Sequence, residues 1–262
     1  MNKKIVTQFL ALTFTIALVT CGICAVFGLL GLTIENAPWL WIIIALCAFS
    51  PTIASYVVLI RNDGVKGFKE WLKNVFAFKS PVRHYLLVIL LIVALFITQA
   101  IVTGLGEVKP FYMFFVLLPL MLIGGGIEEA GWSYVLRPEL YKKFGFILSS
   151  LIVGVIWTAW HIPVFLPQGR IGSLLSFGLF AVDTIGQSFA LGAIVRITKN
   201  VFLAVLYHTL INALYVTFFT YDDSLLETTL PVLATVLTAG LLIVISITAV
   251  FICEKKSQAV KL

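Results

Sequence analysis

Residues 85–104 read Tyr85-Leu86-Leu87-Val88-Ile89-Leu90-Leu91-Ile92-Val93-Ala94-Leu95-Phe96-Ile97-Thr98-Gln99-Ala100-Ile101-Val102-Thr103-Gly104, without one charged side chain. A helix of roughly 20 such residues crosses the hydrocarbon of a bilayer. The rest of the chain has the same character. Of its 262 residues 61% are apolar and 11% charged, against about 25% charged in globular domains. A soluble protein of this size lacks enough charge here to cover itself, so the bilayer is its solvent.

Working outward from that stretch, apolar runs mark about eight spans. They are expected at Ile5 to Leu32, Trp39 to Ile60, Tyr85 to Gly104, Phe111 to Leu136, Phe146 to Leu166, Leu174 to Ile197, Val201 to Thr220 and Leu230 to Cys253. The fold class is therefore all-α: a polytopic membrane protein, 1–262 forming a single membrane domain with no soluble domain appended. Gly67 to Phe76 differs, because Phe68, Trp71, Leu72, Val75 and Phe76 share one helical face. It reads either as a helix lying in the membrane interface or as a loop helix packed on protein.

The formal charge is +6, but its distribution excludes nucleic acid as the partner. With the N-terminus inside, nearly all Lys and Arg fall in inner segments, among them Lys3, Lys4, Arg61, Lys73, Arg83, Arg137, Lys142, Lys143, Arg196, Lys255 and Lys261. The outer loops hold Lys109 and Arg170 with acidic Glu35, Glu107, Asp222, Asp223 and Glu227. This asymmetry is the orientation signal of membrane proteins, and it puts both termini in the cytoplasm. Cys21, Cys24, Cys47 and Cys253 lie in or beside apolar runs and read as small apolar residues, although Cys21 and Cys24 form a CxxC.

Within the spans sit groups the bilayer disfavours: Glu128 and Glu129, His161, Asp183, His208 and Asn212. A charge at the centre of a membrane helix costs about 2.5–3.5 kcal/mol on insertion scales. Each has a plain structural reading. A lone His is more often an interhelical hydrogen-bonding group, Asp183 with Gln187 a pore or packing pair, and Gly124-Gly125-Gly126 a packing motif. Together they are harder to dismiss. His208 and Asn212 are four apart and share a helical face. Glu128 and Glu129 point about 100° apart, so one is expected to meet a reaction centre and the other to support it. The glycines permit close backbone approach or a break beside a cavity, and Pro163 kinks or ends the helix after His161. Residue counting leaves one difficulty. Glu128 and His208 come about 10–15 Å from the inner ends of their spans, and His161 nearer 20 Å.

At these residues the sequence resembles the CAAX-protease and bacteriocin-processing (Abi) family of intramembrane metallopeptidases. The resemblance rests on Glu128-Glu129, on Trp157 three residues and then His161, and on His208 three residues and then Asn212, in that order over 111–220. The family's Arg, four residues after the second Glu, is Ser133 here, and Arg137 is the expected stand-in one turn further on. The resemblance implies peptide-bond hydrolysis in or near the membrane. Glu128 would activate a water and His161 orient it. His208 and Asn212 would stabilise the oxyanion, with Glu129 and Arg137 supporting. It also implies a zinc, for which Glu128, His161 and His208 are the candidate ligands; no HExxH spacing is present. The implied substrate is a membrane-embedded or lipidated peptide or protein, in a bacterial plasma membrane. The alternatives are a bacteriocin self-immunity or membrane-receptor protein, and a proton relay or transporter lined by Asp183, Glu128 and His161. The lack of an internal repeat disfavours the last of these.

Overall fold

A computed structural model describes residues 1–105, 108–169, 172–219 and 229–259. Glu107, Arg170, Asp222, Asp223, Glu227, Lys261 and the Thr220 end of the seventh span lie outside the described residues. The protein is an all-α, multi-pass membrane fold, and no strand occurs among the described residues. Its helices are α1 (Lys3–Leu29), α2 (Leu40–Ala48), α3 (Ser50–Arg61), α4 (Phe68–Val75), α5 (Val82–Thr103), α6 (Tyr112–Gly124), a short α7 (Glu129–Gly131), α8 (Arg137–Phe165), α9 (Leu174–Thr198), α10 (Val201–Phe218) and α11 (Thr229–Ala259). Side chains start several of them. Asn2 Oδ1 accepts from the backbone N–H of Lys4 and Ile5 at α1, and Asn200 Oδ1 from Phe202 N–H at α10.

Among the described residues six helices are long and apolar enough to cross a membrane, or seven with one bent pair. Helix covers each of the eight expected segments, but two differ from expectation. The second is broken: α2 and α3 meet at 51°, with Pro51 in the first turn of α3, where its missing N–H costs nothing. The fourth and fifth merge into one helical segment of 57 residues, Tyr112–Gln168. A straight helix of that length would run about 85 Å, nearly three hydrocarbon thicknesses, so it has to break. It does so at Gly125, through a 3-10 turn (Gly126–Glu128) and a π turn (Trp132–Leu136), and again at Gly145 (φ 67°, ψ −171°). The backbone at Gly145 suits glycine alone. There the chain turns back on itself, so that Trp132 and Trp160 meet edge to face at 5.7 Å.

The fourth arm thus runs on to Phe144 rather than ending near Leu136. Arg137, expected in an inner loop, is fully buried. The same turn removes the depth difficulty. Glu128 lies 17 residues before Gly145 (145 − 128) and His161 lies 16 after it (161 − 145). Equal arms of an antiparallel pair put both at one level.

Polarity is inverted relative to a soluble protein. Leu29, Leu90, Ile101, Phe115, Val244 and Phe251 are exposed, while Glu128, Glu129, Ser133, Arg137 and His208 are inside. That is the distribution lipid selects, since apolar faces need no cover and polar groups need partners. α9 packs on α8 and α11, and α10 on α5, α6 and α9. α4 is packed on protein through Trp71 and Val75, with Trp71 Nε1 donating to Ser55 Oγ at 2.9 Å, while Phe68 stays exposed. The four cysteines are free thiols.

Candidate functional site

One cavity of about 740 Å³ opens among α2, α6, α8, α9 and α10, and Glu128, His161, His208 and Asn212 all line it. The break at Gly125 makes this possible. No residue of α6 is fully buried, and the 3-10 turn that follows it carries Glu128 into the interior. Thr52 on α3 steadies that turn, its hydroxyl donating to Ile127 O at 3.0 Å. Trp160 Nε1 donates to Ser50 Oγ at 2.9 Å, which ties α8 to the bend of the second span.

Glu128 Oε2 accepts from Trp157 Nε1 at 3.0 Å. Trp157 sits one turn before His161, so the same turn of α8 brings both the indole and the imidazole. His161 Nδ1 lies 2.8 Å from Trp157 O. A carbonyl only accepts, so Nδ1 carries the hydrogen and Nε2 of the neutral ring holds the lone pair. His208 Nδ1 is 3.2 Å from Glu129 Oε1, and the carboxylate again makes Nδ1 the donor. That leaves His208 Nε2 beside Gly125. A Cβ on Gly125 would stand 3.3 Å from His208 Nε2 and 2.3 Å from Asn212 Nδ2. No side chain fits there; the glycine lets the His208 and Asn212 tips approach the backbone together. Gly126 is as tight against Thr209 and Val205 O, and Gly131 against Pro51.

Glu129 is fully buried and does not line the cavity. The adjacent carboxylates part as their angular offset requires: Glu128 faces the cavity and Glu129 stands behind His208. The expected pairing of Glu129 with Arg137 is not found. Glu129 Oε2 instead accepts from the Ser133 hydroxyl, the residue at the missing arginine's position. Arg137 points the other way, its Nη1 donating to Ser188 O at 2.9 Å and Ser188 Oγ at 3.3 Å. The substitution is thus accommodated in place, with one hydroxyl anchoring the second carboxylate.

The candidate zinc set does not come together. Among the described residues no three of His, Cys, Asp and Glu form a group that could hold a metal ion. The tautomers are no obstacle, since each histidine gives its Nδ1 hydrogen to a protein acceptor and keeps Nε2 for a ligand; it is the placement of the three side chains that brings no such group together. As arranged, Glu128, His161 and His208 do not fit a shared ion.

The same cavity has a second polar end that the motifs do not include. Asp183, Gln187 and Tyr215 line it, with Tyr207 and Gln99 behind them. In sequence only Asp183 and Gln187, four apart on one helix, signal it. Tyr207, Tyr215 and Gln99 come from other helices and carry no pattern. Trp157 as the partner of Glu128 was equally out of sight, because an aromatic at that spacing reads as packing.

Residues 110–214 match the family described as type II CAAX prenyl endopeptidase, Rce1-like. All three polar motifs fall inside the matched segment. No curated protein matches the chain.

Proposed function

The chain carries an Rce1-like type II CAAX prenyl endopeptidase segment over 110–214, and on that footing we propose that it is an intramembrane endopeptidase in which Glu128 activates the attacking water. The observation that carries the reading is the convergence of Glu128, His161, His208 and Asn212 on one cavity inside a lipid-embedded bundle. The substrate is a membrane-anchored or lipidated peptide or protein, whose scissile segment enters that cavity.

The chemistry follows from the atoms in place. Glu128 is held by Trp157 at Oε2, which leaves Oε1 to take a proton from water while His161 Nε2 accepts the water's second hydrogen and aims it. The hydroxide attacks the carbonyl carbon. The resulting oxyanion takes hydrogen bonds from Asn212 Nδ2 and from His208 Nε2–H in the doubly protonated ring, for which Glu129 is the counter-charge. Such a donor is worth about 2.7–4 kcal/mol in acyl transfer. Glu128 then returns its proton to the leaving amine as the C–N bond breaks, giving a carboxylic acid and an amine, between which a proton passes on release to leave carboxylate and ammonium. Exclusion of bulk water strengthens each of these interactions.

Cleavage of a lipid-anchored peptide in liposomes tests this. Glu128→Gln keeps the shape and the Trp157 contact but cannot take a proton. Its rate is expected to fall by about 10²–10⁴-fold with thermal stability in detergent unchanged. Cleavage by Glu128→Gln at the wild-type rate would overturn the reading.

A further inference from the structure

We propose that the second polar end of the cavity is a specificity subsite, in which the Asp183 carboxylate takes a basic side chain of the substrate near the bond that is cut. This rests on the endopeptidase reading and adds what the enzyme selects.

The hydrogen bonds around Asp183 run in one direction. A carboxylate only accepts, so Gln187 presents its NH₂, and Nε2 donates to Asp183 Oδ1 at 3.2 Å. That orientation turns Gln187 Oε1 to Tyr207, whose hydroxyl donates to it at 2.7 Å. On the other side Tyr215 lines the same end of the cavity, and Gln99 Nε2 donates to the Tyr215 oxygen at 3.2 Å, which leaves the Tyr215 hydroxyl hydrogen to be given to another acceptor. Gln187, itself oriented by Tyr207, thus holds the carboxylate as an acceptor at the cavity wall. None of them brings a positive charge. The ion pairs among the described residues are Lys142–Glu139, Arg196–Glu254 and His208–Glu129, and none includes Asp183.

An ionised carboxylate has about four acceptor positions, and the Gln187 amide uses one. A charge at membrane depth with hydrogen bonds and no counter-charge is costly. It is retained with advantage where an occupant of the cavity supplies the cation. The lining beside it includes Phe180, Thr184 and Val216, and among the described residues Asp183 is the acidic group at this end.

Its distance from the reaction centre follows from α10. Tyr215 lies three residues past Asn212 (215 − 212) and seven past His208 (215 − 208) on the cavity-facing side. At 1.5 Å per residue that is about 5–10 Å, which an extended peptide covers in about two or three residues. The basic residue is therefore expected within about three positions of the scissile bond, at one fixed offset.

The test uses the full chain in liposomes and a randomised peptide library on a lipid anchor, with cut sites read by mass spectrometry. Lys or Arg should be enriched at one offset. A matched peptide pair with Lys or norleucine there should then differ roughly tenfold in kcat/KM, mainly through KM, and Asp183→Asn should bring the ratio to about one. Asp183→Ser serves as a second variant if the first does not fold. A ratio near one in the wild type, or a ratio that survives loss of the carboxylate, overturns the proposal. Binding of the same pair to Glu128→Gln, with and without Asp183→Asn, separates the two readings. A Lys preference in binding without any wild-type cleavage sinks the endopeptidase and leaves the subsite. Glu128-dependent cleavage with no Lys preference sinks the subsite and leaves the endopeptidase.

Discussion

Glu128 and Arg137 lie nine residues apart (137 − 128) on one arm of the same hairpin, both buried in a membrane-embedded bundle, and they are treated in opposite ways. Glu128 receives one indole hydrogen bond and turns the rest of its carboxylate to a cavity. Arg137 is closed in, with Nη1 on the Ser188 carbonyl and hydroxyl, and with Nε and Nη2 buried without a hydrogen-bond partner among the described residues. A charge that faces a cavity has hydrogen-bonding capacity left for a substrate or a water. A charge that faces only packed protein can act on stability alone. Burial by itself does not separate the two, since both are nearly inaccessible; what each group faces does.

The sharpest way to break this contrast is at Arg137. Truncation to Ala leaves a void between α8 and α9 and is expected to lower stability by about 2–5 kcal/mol, read as a fall in melting temperature. Activity per folded molecule should be retained. Arg137→Met, of similar volume and without an incompletely paired charge, should cost less. An Arg137→Ala protein that melts normally but no longer cleaves would put this residue with the catalytic groups and dissolve the distinction. Gly125→Ala probes the other pole. The added methyl would sit 2.3 Å from Asn212 Nδ2, so Asn212 must move by about an ångström, and a displacement of that size costs about 10²-fold in rate. Melting should change little, because the methyl enters beside the cavity. Ser133→Ala should have the smallest effect. It removes one hydrogen bond to Glu129 and is worth about 1 kcal/mol in stability, with a several-fold loss of activity through the His208 that Glu129 orients. A full loss of activity there would mean that Ser133 does more than anchor Glu129.

Several features were legible in the residues. Glu128, His161, His208 and Asn212 are costly groups in apolar segments, and cost marks them without any knowledge of their neighbours. The i, i+4 spacing of His208 and Asn212 put them on one face, and the angular offset of Glu128 and Glu129 announced that they would part. Others were misread for a definable reason. The apolar run ends near Leu136 and so points to a loop at Arg137, and the resemblance points to Glu129 as its partner, whereas the helix continues through a π turn to Phe144 and turns Arg137 to Ser188. Hydropathy reports where lipid-facing residues stop, not where a helix that is shielded by protein stops.

The amino-acid sequence alone determined that this protein lives in the bilayer, roughly where its helices run, and which polar side chains need an explanation, because each of these follows from composition and from periodicity along a single segment. Only the tertiary structure decided how those side chains combine. The turn at Gly145 brings Glu128 and His161 to one level, the break at Gly125 gives His208 and Asn212 room at the backbone, and helices distant in sequence bring Gln99, Tyr207 and Tyr215 to the end of the cavity that holds Asp183 and Gln187. These are relations between segments, set by where helices break and which faces pack, and no pattern within one segment records them.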